Sequence, residues 1–450
     1  MNKISLVYLT LFIGKTFAYT CNTCILGQYV SGCNESSMGT CTPCDACSGG
    51  YGRTNCTADS SGTCVPGSNS FVLIADFTNA IVRKLDLATL EVSTVGTRVN
   101  LSPDENRISD IAISCDGTYI VYSTYTAHVI GKMDLTTGVH SVIAGTIDTF
   151  GYVDGVGSAV KFDDLNQISM SRDCNSVYVP DFVNRAVRQV NINNGSTKTI
   201  AGNLFGSEWN DGPSLTKILN TPLGVATSPD GSYILIVDKY KIKKITLSLP
   251  MMTYHLAGDP NTADGTYGYA DGAGTAALFL GPSFIDISPD GLFATVSDYK
   301  RIRKLDLVTN EVTTLVTHTY LDGVALFNSG TQAILTSAMR NKIYVLSIES
   351  GTLDQIGGNN PANTYADLGL IDGIGTNTMF NYPKGVKLWK CDAPQTSYAV
   401  CPSCTPGMYI SPLDGSCVQC QLCNITGFYK RGCGGSSPGT CVQCTNIHFV

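Results

Sequence analysis

The sequence predicts an all-β protein, a six-bladed β-propeller with small disulfide-rich modules at both ends. A hairpin pattern recurs six times between residues 70 and 391, whereas eight of the 19 cysteines lie before residue 65 and nine from Cys391 onward. Charged residues make up only 14% of the 450 residues, and the abundant Gly, Ser, Thr and Asn favour turns between strands. The expected domains are a signal peptide (1–18), cysteine-rich repeats (19–66), the propeller (67–391) and further cysteine-rich repeats (392–450).

The first 18 residues, MNKISLVYLTLFIGKTFA, have the features of a secretory signal peptide. Lys3 gives the positive start, residues 4–14 form a short apolar core, and Ala18 is a small residue suited to cleavage. No later segment offers about 20 continuous apolar residues, so no membrane span is expected. The C-terminal sequence carries neither a lipid-anchor tail nor an ER-retention signal. A secreted, extracellular protein is therefore expected, with a cell or flagellar surface as one location.

The charge of the chain excludes one class of partner. The formal net charge is −7 and the pI is near 5.2. No stretch clusters Lys and Arg as a phosphate-binding face would require. We therefore expect no nucleic-acid partner.

The terminal cysteines follow a repeated spacing. Two units at the N-terminus and one near the C-terminus have the pattern Cys-x2-Cys-x8/9-Cys-x7-Cys, and a further unit at Cys401-x2-Cys404-x12-Cys417 lacks one cysteine. In a secreted chain this pattern predicts a disulfide framework, whereas zinc binding by the Cys-x2-Cys pairs is the less favoured alternative. The predicted framework comprises Cys21, Cys24, Cys33, Cys41, Cys44, Cys47, Cys56, Cys64, Cys401, Cys404, Cys417, Cys420, Cys423, Cys433 and Cys441.

The odd number of cysteines means that at least one has no partner within the chain. Cys391 could complete the unit that lacks a cysteine, and Cys444 stands where a new unit would begin. These two are the candidates for an unpaired or intermolecular cysteine. Either the chain pairs with another chain, or the sequence stops short of the natural product. The connectivity within each unit is left open by the spacing.

Six related hairpins predict the blades. The first is IVRKLDLATLEVSTVG at 81 and the last is IYVLSIESGTLDQIGG at 343, and an apolar strand precedes each copy. Inner strands are expected to begin near Ile108, Leu165, Pro222, Pro282 and Leu321, which gives only five. The sixth, 383–390, follows the last hairpin and can complete the first blade, closing the ring and removing exposed sheet edges. A repeat of about 53 residues with four strands is typical of a propeller.

The propeller region resembles NHL-repeat proteins, most clearly at 270–315, ADGAGTAALFLGPSFIDISPDGLFATVSDYKRIRKLDLVTNEVTTL. The second and sixth blades depart most, because Thr124 and Ser337 replace an aspartate that ends the second strand elsewhere. The flanking units, such as GFYKRGCGGSSPGTC, resemble the TNFR/EGF-like cysteine-rich repeats of extracellular algal and stramenopile glycoproteins, including flagellar-hair (mastigoneme) proteins. This second resemblance is looser. It implies a structural or assembly role.

The resemblance also raises an enzymatic alternative, because some six-bladed relatives are calcium-dependent lactonases. Two aligned columns of the inner strands would face the channel. The first holds Ser109, Asn166, Leu223, Ser283, Asp322 and Lys384, and the second holds Asp110, Gln167, Gly224, Phe284, Gly323 and Gly385. A hard cation needs several oxygen ligands, and these columns offer few. We therefore predict no catalytic, metal or cofactor residues, with weak calcium binding as the open alternative.

The histidines do not predict a metal site. His140, His255 and His318 are expected on the last strand of their blades, which is the outermost, and His128 in a hairpin. A zinc lyase needs histidines that converge. The pairs Asp76–Asn79 and Asp181–Asn184 are predicted to stabilise hairpin turns, and their recurrence favours architecture over catalysis.

Five Asn-x-Ser/Thr sequences are candidate glycosylation sites in a secreted chain. They are Asn34, Asn55, Asn100, Asn194 and Asn424. Asn100 and Asn194 are favoured because they fall in predicted loops.

The stretch YVDGVGSAVKF (152–162) resembles a ligand loop but recurs in EWNDGPSLTKIL, GYADGAGTAALF and LIDGIGTNTMF. We interpret it as the connector between blades. Its glycines Gly155, Gly212, Gly272 and Gly373 would permit a sharp crossing with positive φ, and its last residue would pack beneath. Weak cation binding at Asp154 stays open.

Three functions are compatible with these features. The first is an extracellular structural or assembly glycoprotein, such as a subunit of a fibre, coat or flagellar hair, whose partners are copies of itself or related glycoproteins. The second is an adhesion or ligand-binding module with protein or glycan contacts. The third is a lactonase-like hydrolase.

Overall fold

The computed structural model describes residues 71–388 except 88, 102–106, 203–210, 217–218, 261–265, 319, 328–329 and 360–368. It also gives the backbone of short strands in the terminal segments. The chain divides into two compact units, of which the larger comprises Phe71–Asp86 and Leu90–Trp389. This unit consists of six antiparallel sheets arranged as the six blades of a propeller.

Each blade has an inner, second, third and fourth strand, counted outward from the propeller axis. The inner strands of blades 1 to 6 are Pro383–Leu388, Ile108–Ile113, Ser169–Met170, Pro222–Thr227, Pro282–Ile287 and Val324–Leu326. The second strands are Phe71–Asp76, Tyr119–Thr124, Ser176–Asp181, Tyr233–Asp238, Phe293–Asp298 and Gln332–Ser337. The third strands are Ile81–Asp86, Ile130–Asp134, Ala186–Asn191, Lys241–Thr246, Arg301–Asp306 and Lys342–Ser347. The fourth strands are Glu91–Val95, His140–Ala144, Ser196–Ala201, Met252–Ala257, Glu311–Thr317 and Leu353–Gly357.

The second strands are buried on both faces, because each blade packs face to face with its neighbours. All six residues of Ser176–Asp181 and of Phe293–Asp298 are buried. One core cluster joins Leu235 and Val237 of blade 4 to Val296 and Leu305 of blade 5. The continuous apolar runs of the sequence therefore supply the contact between blades.

The inner strands of blades 3 and 6 are shorter than their sequences suggest. Leu165 makes only an isolated bridge to Asp181, and the regular strand begins at Ser169. In blade 6 the strand begins at Val324 rather than at Leu321. In blade 3 the main chain before Ser169 bonds to the next blade instead, since Gln167 N donates to Leu223 O at 3.3 Å.

Blade 1 is built from both ends of the propeller region. Pro383–Leu388 pairs antiparallel with Phe71–Asp76, with Val386 opposite Ile74 and Leu388 opposite Val72. The ring is thus closed by main-chain hydrogen bonds, which leaves no open sheet edge between the first and last blades.

The connectors add a fifth, outermost strand to four blades. Gly373–Ile374, Gly155–Val156, Gly212–Pro213 and Gly272–Ala273 pair with the fourth strands of blades 1, 3, 4 and 5. Among the described residues, the sheets of blades 2 and 6 have four strands. Short 3-10 turns lie at Gly157–Ala159, Ser214–Thr216, Gly274–Ala276, Ala338–Arg340 and Gly375–Asn377.

The terminal segments contain two-stranded hairpins whose side chains lie outside the described residues. These are Leu6–Thr10 with Thr16–Thr20, Gln28–Asn34 with Ser37–Pro43, Tyr51–Thr57 with Ser60–Pro66, Met408–Ile410 with Cys417–Gln419, and Phe428–Arg431 with Thr440–Gln443. The predicted terminal disulfide framework, Cys391 and Cys444 therefore fall outside the described part. Within that part, the structure has no helix long and apolar enough to cross a membrane.

Candidate functional site: a cavity on the propeller axis

A cavity of about 440 Å³ opens at the axis on one face of the propeller. The turns after the second strands of blades 1, 2 and 3 supply Phe77, Tyr125 and Phe182, while Tyr382 precedes the closing strand. The inner strands of blades 4 and 1 supply Leu223 and Lys384, and the segment before the inner strand of blade 3 supplies Asn166. These three residues belong to the first predicted channel column, so part of that column does line a cavity. Arg107 and Thr78 complete the lining, which was not predicted.

Lys384 is the central polar residue of the cavity. Its ammonium group donates a hydrogen bond to Asn166 Oδ1 at 3.1 Å and lies 5.1 Å from the ring centre of Phe77 and 5.6 Å from that of Tyr125. Burial lowers the pKa of Lys384, while the charges of Asp322, Asp110 and Asp164 oppose this effect. Among the described residues, no carboxylate forms an ion pair with Lys384.

The second predicted column is packed rather than open. The amide of Gln167 donates to Ile285 O at 2.8 Å and accepts from Val225 N and Ile285 N, so one side chain joins blades 3, 4 and 5. A Cβ atom at Gly385 would lie 2.2 Å from Asp110 Oδ1. Glycine is therefore required at this position because neighbouring strands approach so closely. The Oδ2 atom of Asp110 pairs with Lys387 at 3.3 Å.

A buried ion cluster explains the recurring connector. In blade 3, Arg188 is fully buried and donates to Asp181 Oδ2 at 2.8 Å and to the connector residue Asp154 at 2.6 Å. Asp154 also accepts from Thr199 N at 3.0 Å, which fixes the connector to the fourth strand. Phe162 packs under the guanidinium, 5.3 Å away. The carboxylate of Asp154 is thus held by protein donors, and a cation there would compete with a guanidinium.

The same cluster is built in two other blades. Arg83 in blade 1 bridges Asp76 and Asp372, and Arg303 in blade 5 bridges Asp298 and Asp271. Each arginine lies over the aromatic residue that ends its connector, Phe380 or Phe279.

Blade 4 is a variant of this cluster. Lys243 pairs with Asp238 at 2.7 Å, and the connector residue Asp211 accepts from His255 N. The four terminal residues of the connectors, Phe162, Leu219, Phe279 and Phe380, are all fully buried.

Blades 2 and 6 replace the cluster with other contacts. In blade 2, the hydroxyl of Thr124 takes the aspartate position and bonds the main chain of Val129, and the ring of Tyr122 fills the space beside Gly131. In blade 6, Ser337 Oγ donates to Tyr320 O. The blades without the aspartate are also those without a described connector strand. In blades 1, 3 and 5, one arginine joins the charge pair to the connector.

The predicted roles of the connector glycines were partly wrong. Gly155 and Gly373 do not adopt a positive φ. The second glycine does so in the three motifs that contain one, at 58° for Gly157, 54° for Gly274 and 56° for Gly375. The left-handed residue begins the 3-10 turn after the two-residue strand. In these motifs the left-handed residue therefore lies two positions after the predicted glycine. Gly212 and Gly272 have φ of 148° and 151°.

The turn pairs form as predicted. Asn79 donates to Asp76 at 2.9 Å and Asn184 to Asp181 at 2.8 Å. Burial raises the pKa of Asp181 to about 6, against the charge of Arg188.

The histidines are dispersed, with two departures from the prediction. The strand of His255 is covered by a connector strand, and His318 lies just beyond its fourth strand. His128 lies in the hairpin turn of blade 2 and accepts from Asp164 N at 3.2 Å. With Asp163 and Asp164 it forms a cluster of candidate metal ligands, all partly exposed. Hydrogen bonding within the cluster accounts for its geometry.

A disulfide that the sequence analysis did not predict joins Cys115 and Cys174 across blades 2 and 3, with Cα atoms 6.1 Å apart. Both cysteines lie in the turn between the inner and second strands. Their separation of 59 residues, about one blade, was the available signal.

Two of the five candidate glycosylation sites are described. Asn100 and Asn194 are both exposed. Asn194 lies in the turn between the third and fourth strands of blade 3, where its Oδ1 accepts from Ser196 N. The side chains of Asn34, Asn55 and Asn424 fall outside the described residues.

Comparison with known proteins supports the fold. No family model matches the chain. The human NHL repeat-containing protein 2 is 24% identical over 287 residues, which is 55% of this chain and 39% of that protein. The chain is an NHL-repeat-like six-bladed β-propeller. The Arabidopsis thaliana chloroplastic protein SUPPRESSOR OF QUENCHING 1 is also 24% identical, over 269 residues, 55% of this chain and 25% of that protein. The matched region of this NHL-repeat-like chain thus spans well under half of either relative.

A solved structure agrees with this fold. A chain in the crystal structure of a nidogen/laminin complex superposes with a TM-score of 0.50 at 11% identity, covering 72% of this chain and 99% of its own length. At this identity the likeness concerns the fold alone.

Proposed function

We propose that the chain is a secreted assembly protein in which the propeller is a rigid scaffold and the cysteine-rich arms are connectors. The observation that carries this proposal is the cysteine count. After Cys115 pairs with Cys174, an odd number of the 19 cysteines is left. Within these 450 residues at least one cysteine has no partner, and in an oxidising compartment such a cysteine can form a bond to a second chain.

Secretion is supported by two independent features. The N-terminal 18 residues have the pattern of a signal peptide. The Cys115–Cys174 disulfide is of a kind that persists outside reducing compartments. A flagellar hair, fibre or coat is the type of assembly that we propose, and its partners would be copies of the chain or related glycoproteins.

The test is the oligomeric state of the native secreted protein on non-reducing and reducing gels, with electron microscopy of the same material. We expect disulfide-linked species that separate on reduction, and their loss in Cys444→Ser or Cys391→Ser. The matched control is Cys115→Ser with Cys174→Ser, which should leave the linked species unchanged. A monomer on the non-reducing gel, with its odd cysteine capped by a small thiol, would contradict the proposal.

The second candidate is ligand recognition on the axial face, favoured by the aromatic cavity around Lys384. A lactonase-like activity receives less support. The calcium ligands of such an enzyme would have to converge where Asn166, Leu223 and Lys384 line the axis, and an ammonium group repels a divalent cation.

A further inference from the structure

Two cationic side chains line the axial cavity in a protein of net negative charge. Lys384 and Arg107 line it, and no carboxylate is among the described residues that do. The chain as a whole carries a formal charge of −7. Lys384 is the cationic group on which ligand binding in this cavity would depend.

The hydrogen bonding of Lys384 is incomplete within the described part of the protein. An ammonium group has three N–H donors, and one of them goes to Asn166 Oδ1. The faces of Phe77 and Tyr125 provide its other close contacts. The carboxylates of Asp322, Asp110 and Asp164 act on it through space, without an ion pair among the described residues, and burial still lowers the pKa of Lys384. A charge that is removed from water without full pairing is costly, so an anion in the cavity would be stabilised.

The aromatic residues do not favour a cationic ligand here. Aromatic cages commonly bind cations, but this one already contains the ammonium of Lys384. A second cation would meet the ammonium group of Lys384 and be repelled. The rings of Phe182 and Tyr382 instead offer apolar surface to a flat or ring-shaped molecule.

We propose that the axial cavity binds a small organic acid that contains a ring, with its carboxylate on Lys384 and its ring against the aromatic lining. The cavity volume of about 440 Å³ lies within the usual range for small-molecule sites, roughly 300–1,000 Å³. This inference rests on the second candidate function, recognition on the axial face. Sugar acids and aromatic acids share the required chemistry.

The experiment is calorimetric titration of the full-length protein with sodium galacturonate and with sodium benzoate. Their neutral counterparts, galactose and benzamide, are titrated in parallel. We expect saturable binding of at least one acid at concentrations up to about 10 mM, with an affinity at least about tenfold higher than that of its neutral counterpart. The acid that binds more tightly distinguishes a sugar source from an aromatic source.

Two variants and a control connect binding to the cavity. Lys384→Met should weaken binding of the acid about tenfold or more, because it removes the ammonium group and leaves an unbranched apolar chain in its place. Lys198→Met, at an exposed position on the fourth strand of blade 3, should bind as the wild type does. If Lys384→Met does not fold, Leu223→Glu places a negative charge in the lining and should abolish binding.

Two results would overturn the inference in different ways. Equal binding of an acid and its neutral counterpart, or unchanged binding in a folded Lys384 variant, would leave recognition standing and refute the role of the anion. If none of the four compounds bound, the result would contradict both the binding of an acid to Lys384 and the recognition of small molecules on the axial face.

Discussion

A buried arginine joins the second strand to the connector in three of the four blades that have a connector strand, blades 1, 3 and 5. Arg188 has no exposed side-chain surface, and neither has its partner Asp181. The carboxylates of Asp181 and Asp154 take the place of water around the Arg188 guanidinium, which offsets part of the cost of burying these charges. Such a pair is a weak net contributor when compared with apolar residues, but the removal of one partner leaves an uncompensated buried charge. The cluster therefore specifies one arrangement of strand and connector.

The first prediction concerns this cluster. Arg188→Ala should lower the free energy of unfolding by about 3–5 kcal/mol, because Asp181 is left buried without its cation. Lys198→Ala, an exposed neighbour in the same blade, should change it by less than about 0.5 kcal/mol. Urea unfolding followed by circular dichroism measures both. Equal stability of the two variants would show that the ion cluster is dispensable.

The second prediction is a pH dependence that originates from Asp322. Burial raises the pKa of Asp322 to about 6 from 3.8, against a hydrogen bond from Ala338 N and the charge of Lys384. A raised folded-state pKa means that the stabilising contribution is complete below about pH 4 and is lost as the pH rises through about 6. Ionisation of Asp322 should therefore lower the free energy of unfolding by about 2–3 kcal/mol as the pH rises from about 4 to above 6.

Asp322→Asn should remove that dependence, so the variant loses less stability than the wild type between about pH 4.5 and 7. Asp354→Asn, at an exposed strand position, is the matched control and should follow the wild-type curve. The measurement is urea unfolding at several pH values. If the free energy of unfolding of Asp322→Asn changed with pH in the same way as that of the wild type, Asp322 would not be the source of the pH dependence.

At the level of elements, the sequence is informative where the chain repeats. Six hairpin copies are sufficient to predict six blades, because strand periodicity and turn residues are local properties. Four copies identify the connector, but they do not predict its pairing as a fifth strand or its contact with a buried arginine. Those contacts join residues such as Asp372 and Arg83, 289 positions apart, and no local pattern encodes them.

The candidate cavity was predictable only in part, for a related reason. The inner-strand alignment identifies Asn166, Leu223 and Lys384, which share one register position. The aromatic residues come instead from turns, whose direction is set by the closed ring; they are Phe77, Tyr125, Phe182 and Tyr382. Sequence alignment of strands could not show that these rings converge.

The third prediction tests the connector element. Gly157 has φ of 58°, and a Cβ atom added there would meet no other atom within 4 Å, so Gly157→Ala is strained only by the backbone. The cost should be about 1 kcal/mol. Gly157→Asn should cost less, since asparagine tolerates the left-handed region. Gly155→Ala, without a positive φ, should cost less than half as much as Gly157→Ala. Chemical denaturation measures the free energy of unfolding of each variant. Equal losses for Gly157→Ala and Gly155→Ala would contradict a special requirement for glycine at Gly157.

For the whole molecule, the closing strand determines whether the ring exists. Pro383–Leu388 pairs with the second strand of blade 1. Its Lys384 carbonyl accepts from Thr336 Oγ1 of blade 6 at 2.6 Å, and Lys387 pairs with Asp110 of blade 2. One strand therefore contacts three consecutive blades.

The fourth prediction is that a chain ending at Asn381 loses the whole propeller, whereas a chain ending at Lys390 retains it. Both lack the C-terminal cysteine-rich segment, so they differ only in the closing strand and the residues beside it. Loss of Lys387 alone leaves Asp110 buried without its cation, at a cost of about 3–5 kcal/mol. A typical domain has only about 5–15 kcal/mol of stability in total, and the open edge of blade 1 adds to the loss. Limited proteolysis with mass spectrometry should find cleavage in all blades of the shorter chain, and protection confined to blades 2–5 would instead show that the blades fold without closure.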